Sequence, residues 1–193
     1  MTRPTLVQVI HRLEELFDGL GLDRSYGGAI AYNYYGPPRL TQDVDVLVVV
    51  PDLKAPALVD ALAGAGFRHG DLDSRPVELV PVLADLRSRA HLAVFQYHGV
   101  RVEVFVPWHP FHQRVLRRSP ERALNGRTIR IHSAEDLIVF KKIFDRPKDL
   151  QDIRAMLLAN KGLLDLEQIR GEARGLLTEQ SWRELDVMLG QPA

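Results

Sequence analysis

Cysteine is absent from the 193-residue chain, which excludes a disulfide framework and thiolate chemistry. An excess charge of one sign is also missing, because 25 basic residues balance 25 acidic ones, so the net charge does not indicate binding to nucleic acid or to a membrane surface, and a local basic patch stays open. No apolar run approaches membrane-spanning length, and residues 1–5 lack the basic and then apolar pattern of a signal peptide. These absences predict a cytoplasmic protein with no membrane partner.

The composition that is present is typical of a globular protein, with 46% hydrophobic and 26% charged residues. Strand and helix patterns mix up to residue 132, and only helical patterns follow. This order predicts an α/β (α+β) fold, with a mixed β-sheet and flanking helices in residues 1–132 and a helical C-terminal region, residues 133–193, packed on that core.

Periodicity places the individual elements. Apolar residues at helical spacing predict helices over residues 6–20, 29–35, 54–65, 108–118, 133–145, 148–160, 165–175 and 181–189. Strands are predicted over residues 23–26, 43–50, 77–82, 91–97 and 100–106, and Asn125-Gly126 indicates a further hairpin. The pattern Ser181-Trp-Arg-Glu184 predicts a capping box for the last helix.

Asp43 and Asp45 stand at the start of the apolar strand that ends at Val50. Side chains alternate between the faces of a strand, so both carboxylates are predicted to project from one face while Val44 points to the other. A bare pair of like charges at the start of a buried strand is costly, and a hard divalent cation such as magnesium would neutralise it. The alternative is that one aspartate caps a turn and the other pairs with Arg39.

Two further features strengthen the metal interpretation. Gly27-Gly28 precedes a short helical pattern and would let the backbone approach a phosphate. Glu103 places a third carboxylate on a later strand, and its alternative role is a partner for Arg101 or for a neighbouring lysine. A phosphate-side turn with three oxygen ligands is a plausible design for two-metal nucleotidyl transfer, in which Glu103 binds the metal that activates the acceptor or acts as the base.

These residues carry a resemblance to a known family. Gly27-Gly28, Arg39-x-Thr41-x-Asp43-x-Asp45, Glu103 and the helical segment with Lys141 and Arg146-Pro-Lys-Asp149-x-x-Asp152 are together similar to the minimal nucleotidyltransferases of the polymerase-beta superfamily. Within it they most resemble the AbiEii-like and MenT-like toxins of bacterial toxin–antitoxin systems. The resemblance covers about residues 26–157. It implies magnesium and the transfer of a nucleoside monophosphate from a nucleoside triphosphate to a tRNA or protein acceptor, with a possible cognate antitoxin as partner.

The resemblance also assigns roles. It implies that the metal ligands are Asp43, Asp45 and Glu103, and that these three and Lys141 are the catalytic residues. It implies that the nucleotide-binding residues are Gly27, Gly28, Arg39, Thr41, Lys141, Asp149 and Asp152. For Lys141 the contact would be with the triphosphate, and Asp149 and Asp152 would line the same cleft or fix Lys141. For Lys141 and Asp149 the alternative is an exposed salt bridge between helices.

The sequence departs from the family pattern at two positions. Gly28 supplies no hydroxyl where many relatives have serine, so phosphate contacts there would come from the backbone. Glu103 stands where an aspartate is usual and is one methylene longer. Two other functions therefore stay open, a small-molecule nucleotidyltransferase of the aminoglycoside-modifying type and a nucleotide-binding module that has lost catalysis. Arg114, Arg117 and Arg118 form a basic patch that would suit an RNA end, or simply a solvated helix face.

Overall fold

The computed structural model describes residues 4–190. Residues 1–3 of the N-terminal segment and residues 191–193 of the predicted C-terminal region lie outside the described residues. Its helices are α1 (Leu6–Leu20), α2 (Gly28–Tyr32), α3 (Ala55–Gly64), α4 (Leu79–Leu86), α5 (Pro110–Arg118), α6 (Ala134–Phe144), α7 (Pro147–Ala159), α8 (Leu166–Leu176) and α9 (Glu179–Gly190). Its strands are β1 (Arg24–Tyr26), β2 (Asp43–Val48), β3 (Arg68–His69), β4 (Leu92–Tyr97), β5 (Val100–Phe105), β6 (Glu121–Leu124) and β7 (Arg127–Arg130).

A mixed sheet of five strands, in the order β1-β2-β5-β4-β3, forms the centre of the fold. The pairing of β2 with β5 is parallel, and the other three pairings are antiparallel. Strands β6 and β7 form a separate hairpin whose turn, Asn125-Gly126, has positive φ at both residues, as a type I′ turn requires. The predicted fold class, a mixed sheet with flanking helices and a helical C-terminal part, is confirmed.

Local signals explain why several elements begin and end where they do. Thr5 caps α1 in a reciprocal capping box with Gln8, and Gly21 ends it in the left-handed conformation. Ser133 caps α6 by accepting a hydrogen bond from the backbone N–H of Asp136, and Pro147 begins α7. The predicted helix starts and the β4–β5 hairpin are confirmed at these positions.

Two predictions of local structure are wrong. No strand forms over residues 77–82: from Leu79 onwards this segment is helix α4, with Glu78 as its N-cap. In α4 Val82 and Leu86 are buried at helical spacing, and Pro81 lies in the first turn, where no backbone donor is needed. The predicted capping box at Ser181 is also absent, because α9 begins two residues earlier. Thr178 Oγ1 accepts the hydrogen bond from the Ser181 backbone N–H, and Glu184 instead accepts one from Lys142 Nζ at 2.8 Å.

The core fills the space between the sheet and its helices, with buried valines on β2 and β5 and apolar faces of α1, α3, α5 and α6 against them. Helix α6 packs on α2, α7 and α8, which brings its C-terminal half towards the beginning of β2. None of the helices in residues 4–190 combines the length and the apolar character that crossing a bilayer requires.

Candidate active site

The first residues of β2 place two carboxylates on one face of the sheet. Val44 and Val46 are fully buried on one side of the strand, and Asp43 and Asp45 are half-buried on the other. In the parallel pairing with β5, Asp43 lies opposite Arg101 and Asp45 lies opposite Glu103. Because paired residues in a sheet share a face, four charged side chains stand in a two-by-two array.

The Gly27-Gly28 turn is packed directly behind Asp45. The backbone N–H of Gly27 donates to the Asp45 carbonyl oxygen at 2.9 Å. Gly28 has φ +53°, and a Cβ atom there would overlap the Asp45 carboxylate, whose Cγ lies only 2.6 Å away. A Cβ on Gly27 would lie 2.7 Å from Cε1 of His132. Both glycines are therefore required by space, and a serine at position 28 would displace Asp45 in this arrangement.

The aspartate pair has no cationic partner in the part of the chain that the structure describes. Neither Asp43 nor Asp45 takes part in a salt bridge there, and the predicted alternative partner, Arg39, pairs with Asp152 instead. Burial raises the pKa of Asp45 above its ordinary value, and the negative charge of Asp43 raises it further. The charges of Arg101, Arg146 and Lys141 lower this pKa only in part. Two neighbouring carboxylates that form no salt bridge are a donor set that suits a hard divalent cation.

Glu103 lies beside this pair but is engaged elsewhere. Its carboxylate accepts a hydrogen bond from Arg101, the partner that the sequence offers as the alternative to metal binding. Within residues 4–190 no three His, Cys, Asp or Glu side chains are grouped closely enough to hold a metal ion together. The strand register thus brings Asp43, Asp45 and Glu103 to one face, but the three carboxylates do not converge on one point.

On the helical side of the site, Lys141 of α6 lies between two carboxylates of α7. Its Nζ donates to Asp152 Oδ2 at 2.5 Å and lies 3.6 Å from Asp149 Oδ1. The Lys141 side chain is only 5% exposed, so this is a buried ion pair and not the exposed one considered from the sequence. The two aspartates fix the position of the lysine ammonium group.

Arg146, at the N-cap of α7, holds Asp149 in place. Its Nε and Nη2 atoms donate to the two carboxylate oxygens of Asp149 at 2.5 and 3.3 Å. Burial raises the pKa of Asp149, but the Arg146 hydrogen bond and the Lys141 charge outweigh it, and the pKa lies below its ordinary value. The positive charges of Arg146 and Lys141 also lower the pKa of Asp45 in part, against the larger effect of burial. Lys141, Arg146, Asp149 and Asp152 are called the helical group below.

Arg39 and Thr41, in the loop before β2, have different surroundings. Arg39 donates to Asp152 at 3.1 Å, and its guanidinium carbon lies 5.4 Å from the centre of the Tyr32 ring, as does Lys141 Nζ. Thr41 Oγ1 lies 3.3 Å from the backbone N–H of Asp43 and shapes the entry to the strand. Arg39 therefore pairs with the helical group, whereas Thr41 supports the aspartates.

His132 is a site residue that the sequence does not reveal. Its ring is buried between Gly27 and Phe140, with the two ring centres 5.0 Å apart and nearly parallel. Neither ring nitrogen has a hydrogen-bond partner in the described residues. Burial lowers its pKa to about 3, and the neighbouring His112 contributes, so the ring is neutral. Only the three-dimensional contact with Gly27 identifies this residue, because no local pattern surrounds it.

Comparisons with known proteins bear on the fold. No protein-family model matches this sequence, and no curated protein does. Among solved structures, ANT(2'')-Ia in complex with adenylyl-2''-tobramycin superposes with a TM-score of 0.59 at 18% identity, covering 89% of this chain and 98% of that chain. A nucleotidyltransferase-like protein from Paracoccidioides brasiliensis matches with a TM-score of 0.55 at 22% identity, covering 95% and 91%. The lincosamide antibiotic adenylyltransferase LnuA, with bound lincomycin, matches with a TM-score of 0.54 at 12% identity, covering 84% and 100%. The chain thus has the nucleotidyltransferase fold.

Proposed function

We propose that this protein is a magnesium-dependent nucleotidyltransferase that moves a nucleoside monophosphate from a nucleoside triphosphate to an acceptor hydroxyl. The observation that carries the proposal is the unpaired Asp43–Asp45 carboxylate pair at the start of β2, packed against a glycine turn that has no room for side chains. The nucleotidyltransferase fold of the compared structures supports it.

In this proposal Asp43 and Asp45 hold the cation. A bound divalent cation supplies positive charge next to the triphosphate and lowers the pKa of a hydroxyl at this point. The acceptor oxygen forms a bond to the α-phosphorus while the bond from that phosphorus to the bridging oxygen of the β-phosphate breaks. Pyrophosphate leaves with the electron pair, and the acceptor proton leaves to a base, for which Glu103 is the candidate.

The helical group is the proposed triphosphate side. Arg39, Lys141 and Arg146 carry three positive charges against the two negative charges of Asp149 and Asp152, so one positive charge is in excess beside Asp45. Because the Lys141 ammonium is bonded to Asp152, its direct contact with phosphate requires that the triphosphate share or replace that carboxylate. The phosphate-side role of the glycine turn then falls to backbone atoms of Gly28, because the Gly27 N–H already donates to the Asp45 carbonyl oxygen.

For the acceptor we propose a small-molecule hydroxyl ahead of tRNA or protein. Two of the compared structures are antibiotic-modifying proteins, in complexes with adenylyl-2''-tobramycin and with lincomycin. The basic patch that would suit an RNA end is largely committed: Arg114 pairs with Glu172 at 2.6 Å, and Arg118 pairs with Asp136 and Glu172. A tRNA or protein acceptor, with the toxin role and an antitoxin partner, is the second candidate on the resemblance of Asp43-x-Asp45 and the Lys141 segment.

The test incubates the purified protein with each common α-labelled nucleoside triphosphate, magnesium and one of three acceptor pools. The pools are total bacterial RNA, a protein extract, and a mixture of aminoglycosides and lincosamides. Label in the small-molecule pool supports the proposed acceptor, and label in RNA or protein supports the second candidate. Asp43→Ala must abolish the label, and Asp60→Asn, an exposed aspartate on α3, must keep it.

Absence of label in every pool would overturn the transferase proposal. Equilibrium binding of a labelled triphosphate to the same preparation then identifies a nucleotide-binding module without turnover. If the protein neither binds nor transfers the nucleotide, its similarity to nucleotidyltransferases does not extend beyond the fold.

A further inference from the structure

Arg101 lies inside the charged array of the sheet. It is two residues before Glu103 on the same face of β5, and its Cα atom is paired with that of Asp43 on β2. Its guanidinium donates to the Glu103 carboxylate, and its Nε lies 3.4 Å from Asp71 Oδ2 in the loop after β3. Arg101 and Glu103 lie two residues apart on one strand, so the strand period places both side chains on the same face of the sheet.

Asp71, the second carboxylate beside Arg101, is itself held in place by a hydrogen bond. Asp71 Oδ1 accepts a hydrogen bond of 3.0 Å from Gln96 Nε2, and Gln96 is the β4 residue paired with Arg101. The guanidinium thus links a strand carboxylate to a loop carboxylate. The Arg101 and Glu103 side chains are 31% and 16% exposed, so the pair is partly removed from water.

This arrangement changes the number of cations that the site can accept. Glu103 and Asp71 share the Arg101 guanidinium, and Asp43 and Asp45 lie beside it without a salt bridge in the described residues. A divalent ion that used Glu103 as a ligand would have to remove it from Arg101, and it would then face the guanidinium at close range with the same sign of charge. A divalent ion held by Asp43 and Asp45 would displace no cation from them, because the nearby cations of the described residues form their salt bridges with other carboxylates.

We propose that Arg101 supplies a fixed positive charge on the acceptor side of the site, so that this chain binds one divalent cation, at Asp43 and Asp45, instead of two. The inference rests on the proposed function and deepens it. Arg101 is then a positioning residue that holds Glu103 towards the acceptor and takes the place of a second ion. Glu103 is correspondingly no metal ligand in this chain.

The experiment counts ions and does not depend on turnover. Mn²⁺ alone is titrated into the purified protein, and the free ion is followed by its electron paramagnetic resonance signal. We expect one bound Mn²⁺ per chain for the wild type and for Arg101→Lys, which keeps the charge. We expect two for Arg101→Gln, because Glu103 and Asp71 lose their cation. Arg183→Gln, an exposed arginine of α9 paired with Glu179, is the matched control and should bind one.

Two bound ions in the wild type, or a single ion in Arg101→Gln, would overturn the inference while the proposed function stands. The Asp43→Ala variant distinguishes failure of the proposed metal site from failure of the inference about Arg101, because it should bind no ion. If it keeps its ion, the proposed metal site is wrong and the inference about Arg101 falls with it. Melting curves of each variant show whether the compared proteins are folded.

Discussion

The candidate site contains two charged regions, the aspartate pair on the sheet and the ion pairs of α6 and α7, and they differ in how their charges are paired. On the sheet, Asp43 and Asp45 form no salt bridge in the described part of the chain. Burial and the charge of Asp43 raise the pKa of Asp45 by more than the charges of Arg101, Arg146 and Lys141 lower it. On the helices, Lys141 and Arg146 pair with Asp152 and Asp149, and the pKa of Asp149 is lowered. The charges of the helical region are paired within the protein, whereas Asp43 and Asp45 form no salt bridge in the described residues.

The backbone explains the difference between the regions. Parallel pairing fixes Asp43 and Asp45 at the start of β2, and the strand period makes both side chains project from one face of the sheet. Lysine and arginine side chains on helices are long, so Lys141 of α6 can reach Asp152 of α7. A comparison of variants in the two regions should therefore separate loss of activity from loss of stability.

The largest expected effect is on activity, at Asp45 of the sheet region. Asp45→Asn should reduce transfer by at least about 1000-fold, equivalent to about 4 kcal/mol, because a metal ion contributes several kcal/mol to transition-state stabilisation. The melting temperature should be unchanged or higher, since the like charge next to Asp43 is removed. Both are measured on one preparation, with Asp60→Asn as the control. A variant with full activity would contradict the role of the pair.

The helical region should respond in the opposite way, at Lys141. Lys141→Met leaves Asp152 and Asp149 buried with fewer partners, and removal of one member of a buried pair typically costs 3–5 kcal/mol. We expect the free energy of unfolding, measured by urea denaturation, to fall by about 3 kcal/mol. This is near the lower limit because Arg39 still reaches Asp152.

The control for this prediction is Lys148→Met, an exposed lysine on α7, which should cost almost nothing. The double variant Lys141→Met, Asp152→Leu should recover part of the loss, because it removes both charges together. A Lys141→Met protein as stable as the wild type would show that the ion pair is not part of the framework.

A smaller effect tests the contact between the glycine turn and the sheet region. Gly28→Ala forces a Cβ against the Asp45 carboxylate at a positive φ, so we expect a loss of about 2 kcal/mol in stability together with reduced transfer. Gly64→Ala, where a Cβ meets no atom within 4 Å, is the control and should not lower stability. Equal stability of the two variants would mean that Asp45 is free to move.

The sequence predicts the parts of this site that depend on local periodicity. The period of two in a strand correctly places Asp43 and Asp45 opposite Val44, and the helix starts at Ser133 and Pro147 follow from capping chemistry. The one wrong element, α4, contains valines that favour a strand, whereas its Pro81 fits the first turn of a helix better.

The remaining features of the site depend on contacts between distant segments. The parallel register that sets Asp45 opposite Glu103, and the loop that brings Asp71 to Arg101, join residues far apart in the chain. No single-sequence pattern encodes which strands become neighbours, so the engagement of Glu103 by Arg101 remains one of two alternatives until the structure is available.

The smallest expected effect concerns His132, which supports the sheet region from behind Gly27. Its pKa is lowered to about 3 from an ordinary 6.5, so between these values the unfolded chain binds a proton that the folded chain does not. Its contribution to stability is complete above pH 6.5 and is lost progressively as the pH falls towards 3. From pH 6.5 to 5 the wild type should lose about 1.5 kcal/mol more unfolding free energy than His132→Phe. The comparison is made within each protein between the two pH values, so that any constant packing cost of phenylalanine cancels. Identical pH slopes would mean that the ring reaches a proton acceptor or water in the folded state.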